Sequence, residues 1–292
     1  MHPPTALPDQ LADVVRAAWG IDGGPTVSLS GGQEAAVLRC GHHVIKVGAV
    51  FRRDDDLTWC GAVAAFVAQH VPEVLAPVPS VDGRTVVRVG DHPVTVWPYA
   101  EGRPGNDTVA AQRRAAAELL ARVHVALAAA ELPPPPPRAN PAAATPDLDD
   151  PDLDDWLADF GARATAQLVH GDFYADNVLV DSHGRVAALL DWDETTQASA
   201  EWELAGAAWE WGGCRATLDL STAEHFIELY LAAGGTANRL DDVALRQLIR
   251  HRIRGEVAYD RATAAACTPD PEDAEYQARQ LQAFHELRPA SR

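Results

Sequence analysis

Lysine is nearly absent from this chain: 292 residues contain Lys46 alone, against 23 arginines. Cations as a class are scarce too, and the formal net charge is −18. Such an acid excess argues against nucleic acids and anionic membrane surfaces as partners. Cysteine is sparse as well: Cys40, Cys60, Cys214 and Cys267 lie far apart and have no metal-ligand spacing. No apolar run reaches the ~18 residues that a membrane helix needs, and no basic-apolar leader opens the chain. The expected setting is therefore reducing and cytoplasmic. No internal repeat is present.

Where arginine serves every other cationic need, a retained lysine points to work for a compact ammonium on a thin stem. Lys46 lies in an apolar strand, His43-Val44-Ile45-Lys46-Val47. Gripping nucleotide phosphates from a strand is work of that kind. A second feature lies downstream. Two apolar runs, Asn177 to Val180 and Val186 to Leu190, flank Asp181-Ser182-His183-Gly184, which is a turn signal, so a hairpin is expected. Asp172 stands just before it, Asn177 at its start and Asp191 at its end. Three polar groups thus converge at one end of a hairpin, an arrangement suited to a hard cation. Phosphoryl transfer to a hydroxyl needs such a set: a carboxylate to take the proton and oxygen ligands for Mg²⁺ on the phosphates.

His170-Gly171-Asp172-Phe173-Tyr174-Ala175-Asp176-Asn177, followed by Leu190-Asp191-Trp192-Asp193, resembles the signature of the aminoglycoside phosphotransferase family. That family includes choline kinases and type II homoserine kinases. The resemblance implies an α+β, bilobal protein-kinase-like fold, with an N-terminal antiparallel sheet lobe (1–97) and a mostly helical C-terminal lobe (98–292). It implies Asp172 as catalytic base, Asn177 and Asp191 as Mg²⁺ ligands, and Lys46 as the clamp on the phosphates of ATP or GTP. His170 would brace the catalytic loop. Ser30-Gly31-Gly32 would cover the phosphates, since glycine permits close backbone approach. Trp97 to Tyr99 would receive the nucleotide base at the hinge. Kinases pair the strand lysine with an acid on the next helix. No Glu lies between Glu34 and Glu73, so Asp56 is the candidate.

The acids suggest the acceptor. Asp147 to Asp155 holds a run that includes Asp150 and Asp154, and Asp270 to Glu275 holds another. A third group, Asp193, Glu194, Glu201, Glu203 and Glu210, is interleaved with Trp202, Trp209 and Trp211. An acidic rim with aromatics would attract and seat a cation. The expected reaction is phosphorylation of a hydroxyl on a small cationic molecule, foremost an aminoglycoside or basic peptide antibiotic of tuberactinomycin type, giving resistance. The protein would act as a monomer or homodimer. One alternative is a metabolic kinase for homoserine, choline or an amino sugar. A carboxylate-bearing acceptor would need an Arg pocket, which Arg250, Arg252 and Arg254 could supply. An alternative of another class is a catalytically inert, nucleotide-binding pseudokinase.

Overall fold

Short β-branched runs separated by tight turns dominate the first third of the chain. In the computed structural model, which describes residues 7–8, 10–22, 25–29, 35–137, 148–213, 218–264 and 271–289, they form one antiparallel sheet. Its order is β1-β2-β3-β5-β4, from Val27–Leu29, Ala35–Cys40, His43–Gly48, Val86–Val89 and His92–Pro98. Alternation sorts the side chains: Ile45 and Val47 of β3 enter the core, and Lys46 points to the other face. Helix α1 (Leu11–Trp19) buries Leu11 and Val15 against that core and stops at Gly20, whose φ is 66°. Helix α2 (Asp54–Val67) follows β3, with Leu57, Cys60, Val63 and Val67 buried.

A second, three-stranded sheet joins β6 (Arg103–Pro104), β8 (Val178–Val180) and β9 (Val186–Leu189) in the order β6-β8-β9. The Asp181 side chain accepts from His183 and Arg185 N–H, forming the expected turn. Gly102 is needed where β6 meets β8, because a Cβ there would lie 3.0 Å from Val180 O. Leu189 N–H donates to Glu73 O at 2.8 Å, which bonds the hairpin to the segment that follows α2. The sheet unit is accordingly discontinuous: Met1–Pro104, Ala130–Arg138 and Asp176–Thr195. The expected division after Trp97 differs in that the hairpin groups with the N-terminal unit, bonded to the segment after α2 that holds Glu73 and Val74. The Pro133–Pro137 stretch returns as well, with Trp59 Nε1 donating to Pro133 O at 2.8 Å.

The other unit is helical: Gly105–Ala129, Ala139–Ala175 and Thr196–Arg292. Helices α3 (Ala110–Ala128), α4 (Pro151–Gly161), α5 (Ala200–Trp211), α6 (Ser221–Ala232), α7 (Asp242–Ala264) and α8 (Pro271–Glu286) accompany a two-stranded ladder, β7 (Ala166–Val169) with β10 (Thr196–Ser199). Nearly every residue of α5 is buried, because α3, α6 and α7 all pack around it. No helix among the described residues is long and apolar enough to cross a membrane.

Candidate active site

In the sheet unit the site grows from β3. Antiparallel register sets Lys46 opposite Val37 of β2 and Thr95 of β5, the middle of the sheet. Its ammonium lies 2.7 Å from Asp191 and 2.7 Å from Asp193. Burial alone would lower the Lys46 pKa, but these two carboxylates outweigh it and hold the group above its ordinary value. Asp56, the candidate partner on α2, is buried, and its N–H donates to Asp55. A second acid on Lys46, Asp193, comes from two residues beyond Asp191. The expected place of Asp193 is among the acceptor acids, whereas its carboxylate lies on Lys46.

Asp191 adopts φ 57°, ψ 73°, a left-handed conformation uncommon for a residue with a side chain. Backbone held in this region is typical of sites where direction matters more than local ease. Leu190 N–H donates to Asn177 O at 2.8 Å, which closes the hairpin and brings Asn177 to the same end as Asp191. Among the described residues no three His, Cys, Asp or Glu are grouped to hold a metal by themselves. Mg²⁺ does not require such a cage: it keeps waters and takes one or two protein ligands plus substrate phosphates. The oxygen donors of Asn177 and Asp191 fit that chemistry. Glu194 pairs with Arg52 at 2.5 Å, which ties the loop after Asp191 to the β3–α2 connection.

At the end of β5, Trp97 Nε1 donates to Thr95 Oγ1 at 3.0 Å, and Tyr99 N–H donates to His42 O at 2.8 Å. The Arg39 guanidinium stacks on the Tyr99 ring, 3.8 Å from its centre. Ser30, Gly31 and Gly32 lie outside the described residues, as do Asp147 and Asp270.

In the helical unit Asp172 follows β7 on a tight loop. Gly171 takes φ 89°, which a side chain there would strain. The loop is held from below by Glu203 of α5. Its carboxylate accepts from His170 N–H at 3.0 Å, from Gly171 N–H at 2.5 Å and from His124 Nε2 at 2.7 Å. His124 Nδ1 in turn meets Tyr230 OH at 2.7 Å. Burial would raise the Glu203 pKa; His124, His170 and the Gly171 N–H hold it below the usual carboxylate value. His170 is fully buried, and its Nδ1 accepts from Asp172 N–H at 3.3 Å. Arg252 reaches Asp172 from α7 at 3.2 Å. A cleft beside this loop is lined by Gly171, Phe173, Trp202, Gly206, Ala207 and Arg252.

Several acids expected on an acceptor rim sit elsewhere. Glu201 and Glu203 are buried rather than exposed, because α5 is covered on all sides and a desolvated carboxylate must find donors. Glu201 takes its donors from Asn238, through the main chain at 2.9 Å and the side chain at 2.8 Å. Glu210, Trp209 and Trp211 are buried as well, and Trp202 is half-buried. Asp150 is also buried. It caps α4 by accepting from Leu153 N–H at 3.2 Å, and it pairs with Arg250 and Arg288. Burial opposes its ionisation, but the two guanidiniums and the cap bond hold its pKa down to about 2. Asp149, Asp152, Asp154 and Asp155 remain exposed. Asp154 is paired with Arg254 at 2.7 Å. The Arg pocket considered for a carboxylate acceptor is therefore already filled by acids of the unit itself: Arg250 by Asp150, Arg252 by Asp172 and Glu256, Arg254 by Asp154.

A model of the phosphotransferase enzyme family matches residues 29–244. Solved structures resemble the chain over nearly its whole length at low identity. An amicoumacin kinase, solved with AMP-PNP and Ca²⁺, is 15% identical over 97% of this chain and 95% of its own, with a TM-score of 0.74. A spectinomycin phosphotransferase in complex with ADP and spectinomycin is 14% identical over 97% and 99%, with a TM-score of 0.61. A choline/ethanolamine kinase family protein from Mesorhizobium loti is 16% identical over 96% and 94%, with a TM-score of 0.61. At such identities the likeness is one of fold, and the fold is the protein-kinase-like one. No curated protein matches the chain at a significant level.

Proposed function

Since the chain belongs to the phosphotransferase enzyme family, we propose that it transfers the γ-phosphoryl group of ATP to a hydroxyl of a small cationic antibiotic, and so confers resistance. The observation that carries the chemistry is the pairing of Lys46 with Asp191 and Asp193, 2.7 Å each, at the end of a hairpin that begins at Asn177. An ammonium and hard oxygen donors are what a metal-bound triphosphate requires. Asp172 orients the acceptor hydroxyl and takes its proton as the new O–P bond forms and the bond to the β-phosphate oxygen breaks, leaving ADP. Asn177 and Asp191 hold Mg²⁺, which neutralises phosphate charge when bound. Lys46 holds the phosphates, with Asp56 as a further partner on α2. Ser30, Gly31 and Gly32 cover them, and Trp97 to Tyr99 receive the base.

The acceptor reading rests on charge and on likeness. The net charge of −18 favours a cation, and the exposed acids of α4 and its approach supply a steering field. Amicoumacin and spectinomycin kinases are among the structural neighbours. Phosphorylation adds about −1.5 to −2 charge to a drug recognised through its positive charge, which weakens its hold on an anionic target. A second reading, an amino-alcohol kinase, is favoured by the choline/ethanolamine kinase likeness. It shares the cationic acceptor. A carboxylate-bearing acceptor such as homoserine fits less well, because Arg250, Arg252 and Arg254 already carry acids.

The test is ATP consumption by the purified protein against aminoglycosides, spectinomycin, tuberactinomycin-type peptides, macrolides, choline and homoserine. Turnover with a cationic antibiotic is expected. The acceptor KM should rise with salt, since exposed carboxylates act over a Debye length of about 8 Å, while the KM for ATP changes much less. Turnover with choline alone would favour the metabolic reading, and none with any acceptor the inert one. Replacing Asp149, Asp152 and Asp154 by Asn should raise the acceptor KM and spare that of ATP. If the acceptor KM is unmoved, that run is only a solvated face.

Lys46 offers a separate check. Lys46→Arg keeps the charge but presents a broader, differently directed fork to Asp191 and Asp193. Impaired ATP turnover is expected, as is protection by Mg·ATP of the one side-chain amine from an amine-reactive ATP analogue. Equal activity in the Arg variant would show that the ammonium was incidental.

A further inference from the structure

Arg252 lies near the middle of α7 and is the hub of a half-buried polar chain. Nη1 donates to Gly171 O at 3.1 Å and Nη2 to Asp172 Oδ1 at 3.2 Å, so one guanidinium grips both the main chain and the carboxylate of the loop. Its third nitrogen, Nε, donates to Glu256 one turn along the helix at 2.5 Å. Glu256 is held from the other side by Gln280 of α8 at 2.7 Å, and Gln280 also donates to Tyr276 OH at 3.0 Å. Burial alone would lower the Arg252 pKa, but Glu256 and then Asp172 raise it above its usual value, so the cation persists. Each partner fixes the next, and a planar fork bound on three sides has one orientation left to it.

We propose that Arg252 is a positioning residue for Asp172: by bridging Gly171 O and Asp172 Oδ1 it sets the plane of the carboxylate that receives the acceptor proton, and Glu256 with Gln280 locks the arginine in place. Arg252 thereby leaves the role of acceptor recognition that its place among three helical arginines suggested. The inference rests on Asp172 acting as the base. Alignment of a base is worth much in rate and little in binding, because it matters only as the proton moves.

The experiment uses the full chain with Mg·ATP and water in the acceptor's place, so it does not depend on which antibiotic or amino alcohol is the natural partner. Arg252→Gln is expected to lower ATP turnover about 10- to 100-fold while the KM for ATP stays within about two-fold. Arg252→Lys should recover part of the loss, since an ammonium can still reach one of the two oxygens. In an Asp172→Asn background, Arg252→Gln should cause no further fall, because its effect runs through Asp172. A multiplicative fall in the double variant, or unchanged turnover in the single one, overturns the proposal. Amide hydrogen exchange supplies a readout independent of turnover. Gly171, Asp172 and Phe173 should exchange faster in Arg252→Gln while the melting curve shows a folded chain. Unaltered protection of these amides overturns the proposal equally. Should the wild-type protein turn over no acceptor and no water, the proposed function fails, and the exchange comparison still decides whether Arg252 holds the loop.

Discussion

Asp172→Asn is expected to leave a folded protein that binds Mg·ATP with normal affinity and turns it over at least ~10²-fold more slowly, the scale of a general-base contribution. The substitution preserves size and the Asp172 N–H bond to His170 Nδ1. It also spares Lys46, Asn177 and Asp191, which belong to the sheet unit. What it removes is the negative charge and the capacity to accept a proton. The loop should hold its shape, since Glu203 anchors it through the main chain of His170 and Gly171, not through the Asp172 side chain. Steady-state kinetics with calorimetry of Mg·ATP binding separates the two effects. Wild-type turnover in this variant would take the base role away from Asp172.

Asp191→Ala should act on the other half of the chemistry and abolish Mg²⁺-dependent nucleotide binding, more severely than Asn177→Ala. The asymmetry follows from charge: Asp191 contributes a full negative charge to a divalent cation, Asn177 only a carbonyl dipole. In Asp191→Ala the Lys46 ammonium keeps Asp193. Residual nucleotide binding should therefore lose its dependence on Mg²⁺ sooner than its dependence on Lys46. Calorimetry of ATP with and without Mg²⁺ checks this. An unchanged Mg·ATP affinity in Asp191→Ala would sink the assignment of the hairpin end as the metal site.

Much of the sheet unit was legible because its contacts are local. The β8–β9 hairpin is written in Asp181-Ser182-His183-Gly184 between two apolar runs, and strands β4 and β5 are written around Gly90. Helix α2 opens on three acids, Asp54, Asp55 and Asp56, which is a local start signal of the same kind. The fates of the other acids were not legible. Asp150 and Asp154 occur in the same run, yet one is buried between Arg250 and Arg288 and the other is exposed beside Arg254. Their partners arrive from α7 and from beyond α8, 100 to 138 positions downstream, and local pattern carries no trace of them. Glu203 misled for the same reason: among tryptophans it looked like a recognition rim, but α5 is the central helix and its acid serves the loop.

The sequence by itself determined the kind of chemistry, because the types and spacing of Asp172, Asn177 and Asp191, with a solitary Lys46, are set along the chain. It also placed the strand of Lys46 and the β8–β9 hairpin, since apolar period and turn residues are local properties. Only the tertiary structure decided which charges are enclosed and with what they pair. Whether a carboxylate faces water, Lys46 or a buried guanidinium depends on which helices enclose it, and the cost of leaving a charge unpaired once enclosed then dictates its partner.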